Sequence, residues 1–489
     1  MSHINNGNVF FRLRSIFIIG LFADGFINTL LKNASKVFFC AAISPSFSIQ
    51  AADKPNIVFI YADDLGFADL SRHGSRTIHT PNLDRLAEQG SEFYQFTVSN
   101  PVCSPSRAAA LTGHVPARHS IHRHFASTEH HQRFAMPDWL SPSVVTLPKL
   151  LQSAGYTTAH FGKWHLTNSH IPDAPSLDNY GYDESAVFNG PGKQTDGWKV
   201  YDDTIDFIVR NKDKPFFINL WIHEPHTPHF PMPDMMEYYK HLGEQDQVYA
   251  AVVGGADRSI GRVLQALKDN GLEENTVVVF SSDNGPEITG REKQRYQNDD
   301  PDARVNNMTR LGTYFSVGSA GNLRGQKRDT YEGGVRVPFI VRWPNKVPAG
   351  VINNQSILSA VDLLPTFAFI AGVSLPKGYE SDGENVLPQI QGRLVKRTKP
   401  VFWEWYISPI KSDADYDKSM LVVREGDWKL FWNRRFNSVE LYNIMHDQAE
   451  TQNVEAQFPA VVKQLKKQLL RWKKTLPRGP DESAFSSIR

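Results

Sequence analysis

Three short apolar runs rich in β-branched and aromatic residues stand out along the chain: Asn56 to Ala62 (NIVFIYA), Phe216 to Trp221, and Thr276 to Ser281. None shows the polar–apolar alternation of a half-exposed strand, so each predicts a strand buried on both faces of a sheet. Each run also stops at chemistry: Asp63-Asp64-Leu65-Gly66, His223, and Asp283-Asn284-Gly285. The stretches between them, among them Pro81 to Glu88, Leu147 to Ala154 and Val248 to Leu267, read as helices. Strands alternating with helices predict an α/β fold with a large mixed, mostly parallel sheet sandwiched by helices. In such sheets ligands sit beyond the carboxyl ends of the strands, where these polar endings would converge.

Downstream the pattern changes. Pro286 to Asn322 is charged and aperiodic, which predicts a long surface loop able to line the site. Asp362 opens a helix that runs to Ala371 and is closed by Gly372. After a boundary near Gly392 to Lys399, the runs Val401 to Tyr406, Met420 to Glu425, Trp428 to Trp432 and Ser438 to Tyr442 read as antiparallel strands. Gly426-Asp427 supplies a turn, and Val461, Val462, Leu465, Leu469 and Leu470 mark a helix from Pro459 to Leu476. The expected organisation is a leader segment over 1–52, a catalytic domain over 53–395, and a smaller C-terminal α+β subdomain over 396–489.

The leader has its own pattern. Arg12 and Arg14 precede an apolar run from Ile16 to Phe22; Lys32 and Lys36 precede a second from Val37 to Ile49, followed by Gln50-Ala51-Ala52. Basic flank, apolar stretch and small residues are the parts of a secretory signal. Neither run reaches the roughly 18 to 20 apolar residues of a membrane span. Phe38-Phe39-Cys40 lacks the small residue expected before a lipidated cysteine. Export to a periplasm or the medium, without stable membrane insertion, is the expectation. A net charge of +1 offers no concentrated basic face for nucleic acid, although local basic clusters could serve an anionic substrate. Of two cysteines only Cys103 lies beyond the leader, so no internal disulfide forms there, which favours a bacterial exported enzyme.

Cys103 lies in Pro101-Val102-Cys103-Ser104-Pro105-Ser106-Arg107. Ser104-Pro105 reads as a helix N-cap followed by proline at the first helical position, with Cys103 just outside. Free N–H groups and the positive dipole end would favour an anion there, and Arg107 adds a planar fork suited to oxyanions. Asp63, Asp64, Asp283 and Asn284 together offer three carboxylates and an amide oxygen, a hard-oxygen set for Ca²⁺, or for Mg²⁺ with added waters, and not for zinc. His223-Glu224-Pro225-His226-Thr227-Pro228-His229 raises the possibility of zinc, but two prolines exclude a regular helix presenting its histidines on one face. The histidine-rich stretch His114 to His131 reads as a loop near the site.

Cys103-x-Pro105-Ser106-Arg107 followed by Thr112-Gly113 resembles the signature of the type I, formylglycine-dependent sulfatases of the alkaline phosphatase superfamily. Gly162-Lys163-Trp164-His165 resembles their second block, and Leu323 to Lys327 with Tyr331 to Pro338 a further one. These blocks, with Asp63-Asp64 and Asp283-Asn284-Gly285, occur in family order and cover most of the chain after residue 53. The resemblance implies that Cys103 becomes Cα-formylglycine through a formylglycine-generating or anaerobic sulfatase-maturating enzyme. It implies one calcium ion held by Asp63, Asp64, Asp283, Asn284 and an oxygen of the converted Cys103. Arg107 and Lys163 would contact the formylglycine and sulfate, His165 would be the base acting on the modified residue, His226 would serve the leaving group, and Lys327 would touch both sulfate and leaving oxygen. Glu332 and Arg336 read as structural. Departures are Ala110, Phe161 and Gln326, which replace residues more usual in the family.

The resulting expectation is hydrolysis of sulfate esters on a sulfated polysaccharide or oligosaccharide. A phosphodiesterase or phosphonate hydrolase of the same superfamily, a small-substrate arylsulfatase, and a silent carbohydrate-binding protein are the competing readings. Trp139, Trp403, Trp405 and Tyr406 are the candidates for a sugar-stacking cleft.

Overall fold

The computed structural model describes residues 54–189, 198–289 and 311–489, with the backbone of 304–305 and 308–309. The leader and most of the 290–310 part of the long loop lie outside the described residues. From Ala52 to Arg489 the chain forms one compact unit.

Its centre is an eight-stranded sheet. In chain order the strands are β1 (Asn56–Asp63), β2 (Ser91–Phe93), β3 (Thr157–Lys163), β4 (Glu184–Phe188), β5 (Phe216–Pro225), β6 (Thr276–Ser282), β7 (Phe339–Arg342) and β8 (Val351–Asn353). They lie side by side as β8-β2-β7-β6-β1-β5-β3-β4. Every pairing is parallel except those of β7 with β6 and β2.

β1 shows why its sequence carries no alternation: all eight residues are buried. Ile57, Phe59 and Tyr61 pack into one apolar cluster, and Val58, Ile60 and Ala62 into another across the sheet. The first face is covered by α2 (Cys103–Thr112), α3 (Leu147–Ser153) and α6 (Leu363–Ile370); the second by α1 (Pro81–Glu88), α4 (Lys199–Arg210) and α5 (Glu244–Asp269). Pro81 begins α1 as an N-terminal proline should, and Asp257 of α5 accepts hydrogen bonds from the first N–H groups of that helix, at 3.1 Å from Asn82 and 2.8 Å from Leu83.

The C-terminal part is a four-stranded antiparallel meander, β9 (Val401–Trp405), β10 (Met420–Glu425), β11 (Trp428–Asn433) and β12 (Ser438–Asn443), followed by α7 (Pro459–Lys473). Leu421, Val423, Leu430 and Leu441 from the meander, and Leu465 and Leu469 from α7, share an apolar cluster with Ala109, Val115 and Val361. The meander therefore packs against the outer side of α2, the helix that carries Cys103. Trp403 Nε1 donates to Val98 O at 2.8 Å, adding a directional tie.

Two expectations need correction. The helix after Val102 starts two residues earlier than its Ser104-Pro105 signal suggests: Val102 is the N-cap and Cys103 the first helical residue. Ser104 Oγ accepts the Phe125 N–H at 3.0 Å instead of capping the helix, and Pro105 still sits in the first turn, where no N–H is required. The proposed stacking aromatics are also not on the surface. Trp139, Trp403, Trp405 and Tyr406 are all buried: Trp139 packs with Ile171 and Ala484, and the other three lie on or just after β9, which faces the core.

Candidate active site

Parallel strands β1, β3, β5 and β6 end at one edge of the sheet, and their last residues or immediate successors are polar: Asp63-Asp64, Lys163, His223 to His226, and Asp283-Asn284. α2 adds Cys103 and Arg107, and the loop before β7 adds Lys327. The structure brings these residues together.

Local backbone makes the convergence possible. Adjacent residues of a strand point to opposite faces. Asp64 breaks that rule with φ 69°, a left-handed conformation that aspartate tolerates better than most residues, so both carboxylates turn toward the site. His165 does the same at φ 49° after the buried Trp164. At Gly162, φ is 106° and a Cβ would lie 2.0 Å from Trp221 O, so the turn that delivers Lys163 accepts only glycine. At Gly285 a Cβ would lie 1.9 Å from Gly333 O, and that close approach seats Asp283-Asn284 against the loop that follows Lys327.

Every charged group in this cluster is buried. Arg107 donates from Nε to Asp283 Oδ2 at 2.8 Å and from Nη1 to Lys163 O at 2.8 Å. The Lys163 ammonium pairs with Asp63 Oδ2, and Lys327 Nζ with Asp64 Oδ2 at 2.6 Å. Asn284 Nδ2 donates to Asp64 Oδ1 at 2.7 Å, and the Asp64 N–H to Asp283 Oδ1 at 3.2 Å. Asp63 Oδ1 and Asn284 Oδ1 are left buried without a hydrogen-bond partner. Ligand atoms of Asp63, Cys103 and Asp283 lie within 4.8 Å of one another. Orphaned acceptors in such a set are what a hard cation satisfies, so the residues present fit a divalent metal ion.

The electrostatics follow from burial and pairing. Burial drives the Asp63 carboxyl up, yet Lys163, His226, Arg107 and Lys327 together hold it well below the usual range. Asp283 is pushed up to about 7 by burial and then by the Asp63 charge, despite Arg107. Burial also raises the Cys103 thiol. Lys327 is held above its usual range, because Asp64 and the thiol charge outweigh burial.

Two histidines have defined tautomers. His165 Nε2 donates to Phe125 O at 2.9 Å, leaving Nδ1 as a buried lone pair without a partner. His226 Nδ1 donates to Thr227 O, which turns Nε2 toward the site, 3.7 Å from Asp64 Oδ2. Burial first, and Lys163 next, depress both imidazoles. His223 joins Asp63 and His226 in a second potential ligand group, while its Nε2 is held by Pro228 O at 2.9 Å. His229 turns away, its ring 3.1 Å from Ser316 Oγ and its backbone paired with Leu311.

The histidine-rich stretch divides. His124 brings its ring to 6.3 Å from that of His165, His131 pairs with Asp138 at 2.6 Å, and His114 stacks on Tyr379. Glu332 and Arg336 pair with each other beneath β11, away from the cluster. Sequence reasoning missed Glu287, which reaches Lys327 at 3.5 Å and Arg328 at 2.8 Å, and it missed Arg123 and Arg328. Glu287 follows the Asp283-Asn284-Gly285 turn, and only that proximity could have marked it.

The sulfatase family model matches residues 55–373, and the model of the C-terminal region of N-sulphoglucosamine sulphohydrolase matches 325–475. Human N-acetylgalactosamine-6-sulfatase is 32% identical over 72% of this chain and 69% of its own length. An N-acetylgalactosamine-6-O-sulfatase of Bacteroides thetaiotaomicron is 27% identical over 85% of this chain and 92% of its own. Among solved structures, Ps i-CgsB in complex with k-i-k-neocarrahexaose superposes with a TM-score of 0.72 at 26% identity, covering 88% of this chain and 96% of that one.

Proposed function

The chain belongs to the sulfatase family and hydrolyses sulfate esters, and from that premise we propose that it acts on a sulfated polysaccharide or its oligosaccharides, using a Cys103-derived formylglycine and one calcium ion. The observation that carries the site assignment is the buried Asp63–Cys103–Asp283 cluster with its two orphaned acceptors. Carbohydrate substrates are favoured by the relatives, whose names specify N-acetylgalactosamine sulfate and whose solved complex holds a neocarrahexaose.

The charge balance explains why a cation belongs there. Asp63, Asp64 and Asp283 are matched by Arg107, Lys163 and Lys327, so the protein alone offers a sulfate little net attraction. Asp63, Asp64, Asp283, Asn284 and an oxygen of the converted Cys103 would hold a divalent ion, which when bound would supply that attraction and polarise the sulfate. Conversion of Cys103 to the hydrated aldehyde supplies an oxygen nucleophile with a second hydroxyl, which cysteine or serine lacks. Lys163 and Lys327 stabilise charge on the sulfate oxygens, with Lys327 also facing the departing oxygen. His226, through Nε2, handles the proton of the departing alcohol; His165, through the free Nδ1, takes a proton from the modified residue. Arg107 fixes Asp283 and the Lys163 carbonyl, so the positions of both metal ligand and lysine depend on it.

The maturation partner is a formylglycine-generating or anaerobic sulfatase-maturating enzyme, and the protein is exported to the periplasm or medium. Peptide mass of active enzyme tests the central point: the Cys103 peptide should be lighter than its thiol form by the thiol-to-aldehyde change. Sulfate release should be fastest from sulfated oligosaccharides in a panel that includes an aryl sulfate and a phosphonate monoester. Full activity in Cys103→Ala, or a preference for the phosphonate, overturns the reading.

A further inference from the structure

Arg123 differs from most arginines that lie partly or wholly inside the protein, and from Arg424, whose Nη2 is held by the buried Gln95 amide at 2.6 Å, in lying beside the proposed site. Arg118 pairs with Asp382, Arg342 with Glu273, and Arg397 with Asp362. Arg123 has no carboxylate partner among the described residues. Its guanidinium lies over the Trp405 ring at 3.9 Å and the Phe134 ring at 5.0 Å, and one nitrogen donates to Tyr406 O. Its Nε is buried and makes no hydrogen bond. Cation–π contact can hold a guanidinium flat on a ring, but it uses none of the in-plane N–H donors. The result is a pre-positioned fork with donors to spare and no counter-charge.

Its location ties it to the reaction. Trp405, the ring beneath Arg123, shares a small apolar cluster with Val102 and Cys103. The next residue, His124, brings its ring beside that of the proposed base His165. Arg328 approaches from the other chain segment: its N–H donates to Pro101 O at 2.9 Å, two residues before Cys103, and its guanidinium is held by Glu287 at 2.8 Å. Arg328 has φ 79°, a left-handed conformation uncommon for a long side chain, and it directly follows Lys327. Burial first, and the Arg328 charge next, lower the Arg123 guanidinium to about 10. Arg328 has Glu287 as its counter-ion, so an anion placed against Arg123 answers the one charge of the two that lacks a carboxylate.

We propose that Arg123, assisted by Arg328, forms a second anion subsite one aromatic ring away from Cys103, which receives another sulfate or a carboxylate on the same saccharide. This inference rests on the proposed carbohydrate substrate and narrows it: the preferred saccharide carries at least two anionic groups, one cleaved and one held. The buried Trp405 then contributes to sugar recognition by supporting Arg123, and not by stacking on a ring of the substrate.

The test compares a galactose-based disaccharide bearing one sulfate with counterparts that carry a second sulfate or a carboxylate on the neighbouring sugar. An aryl sulfate, which lacks a second anion, is the reference. Arg123→Gln should raise KM for the doubly anionic saccharides by about tenfold to a hundredfold, the range of a charge-assisted hydrogen-bonded pair, with kcat little changed. The aryl sulfate and the singly sulfated disaccharide should change less than about threefold, which also shows that the variant folds. Arg123→Lys should recover only part of the loss, because an ammonium cannot present the fork. Whichever second anion shows the larger effect identifies the group held. Calorimetric binding of the same saccharides to Cys103→Ala enzyme reads the subsite without turnover. There the doubly anionic saccharide should bind at least tenfold tighter, and Cys103→Ala with Arg123→Gln should remove the difference. Equal binding of the saccharides, or equal losses on every substrate in Arg123→Gln, overturns the subsite while leaving sulfate release by the wild type in place. A binding difference without sulfate release by the wild type overturns the hydrolytic reading instead and upholds the subsite.

Discussion

Two buried clusters of charge lie in this molecule, and they are built to opposite ends. Under β11, Glu332 accepts from Arg336 Nε at 2.6 Å and pairs with Lys429 at 2.7 Å; Glu450 pairs with Lys429 at 3.0 Å and accepts the Glu332 N–H at 2.6 Å. Three of those four carboxylate oxygens accept a hydrogen bond; Glu450 Oε1 faces only the Lys429 ammonium, which it shares with Glu332, and makes no hydrogen bond. The other leftovers there are donors, Gln95 Nε2 and Arg424 Nη1, which cannot bind a metal. At the strand ends two acceptors, Asp63 Oδ1 and Asn284 Oδ1, are left over beside the Arg107 Nη2 donor, and ligand atoms of Asp63, Cys103 and Asp283 converge within 4.8 Å of one another. Equal burial and similar composition therefore separate into a joint and a receptor. The distinction lies in whether ligand atoms of separate residues converge, and a count of salt bridges would miss it.

That contrast predicts opposite responses to mutation. The largest effect is expected at Asp283. Asp283→Asn should lower kcat/KM by several orders of magnitude, and Ca²⁺ should raise the melting temperature of the wild type but not of the variant. A full calcium shift in the variant would place the ion elsewhere.

His226 and His165 sharpen the receptor half. A sugar alkoxide needs a proton on leaving more than a nitrophenolate does. His226→Ala should therefore lose far more activity on a sugar sulfate than on an activated aryl sulfate, by about a hundredfold or more. His165→Ala should lose turnover on both. Equal losses in His226→Ala, with chemistry rate-limiting for each substrate, would mean the acid is another group.

In the joint, Glu332→Ala should cost about 3–5 kcal/mol of stability by leaving Arg336 buried without a carboxylate and Lys429 with Glu450 alone. The fraction that remains folded should keep kcat/KM within a few-fold of wild type. Denaturant unfolding beside active-site titration separates the two quantities, and a catalytic loss that exceeds the folding loss would dissolve the contrast.

The smallest effect concerns a third buried carboxylate. Asp257, at the N-terminus of α1, is raised to about 6, chiefly by burial. An acid whose folded pKa lies above its unfolded value binds more protons when folded, so its contribution to stability declines as pH rises from about 4 to 6 and is level above that. The stability difference between wild type and Asp257→Asn should follow this curve in melts across pH, while activity is unaffected. A flat difference would mean that the helix N–H groups fully compensate the charge.

Much of this was legible along the chain. The apolar runs that became β1, β5 and β6 are recognisable because a strand covered on both faces must be apolar throughout, and their polar endings mark the sheet edge where ligands bind. The helices from Pro81, Leu147 and Pro459 are likewise visible in their periodicity and their terminal prolines. Cys103, Arg107, Lys163 and Lys327 could be named because each lies in a short local motif.

Other features depended on contacts between residues far apart in sequence. The Ser104-Pro105 signal placed the helix start two residues late, because the Phe125 N–H, 21 positions on, takes the serine oxygen. Trp405 looked available for stacking because a local pattern carries no information about what will cover it. The resemblance singled out His226 over His229, and the structure adds how His229 is turned away, its backbone paired with Leu311.

The sequence by itself determined which segments are apolar enough to be central strands and which reactive side chains terminate them, since burial and local chemistry are properties of the segment. Only the tertiary structure decided that Asp63 and Asp64 face one centre, that Asp63 Oδ1 and Asn284 Oδ1 stay unpaired, and that Arg123 lies over the Trp405 ring with no carboxylate partner among the described residues. Those outcomes depend on strand order and on left-handed residues such as Asp64, which bring together residues as distant in the chain as Asp64 and Lys327, 263 positions apart.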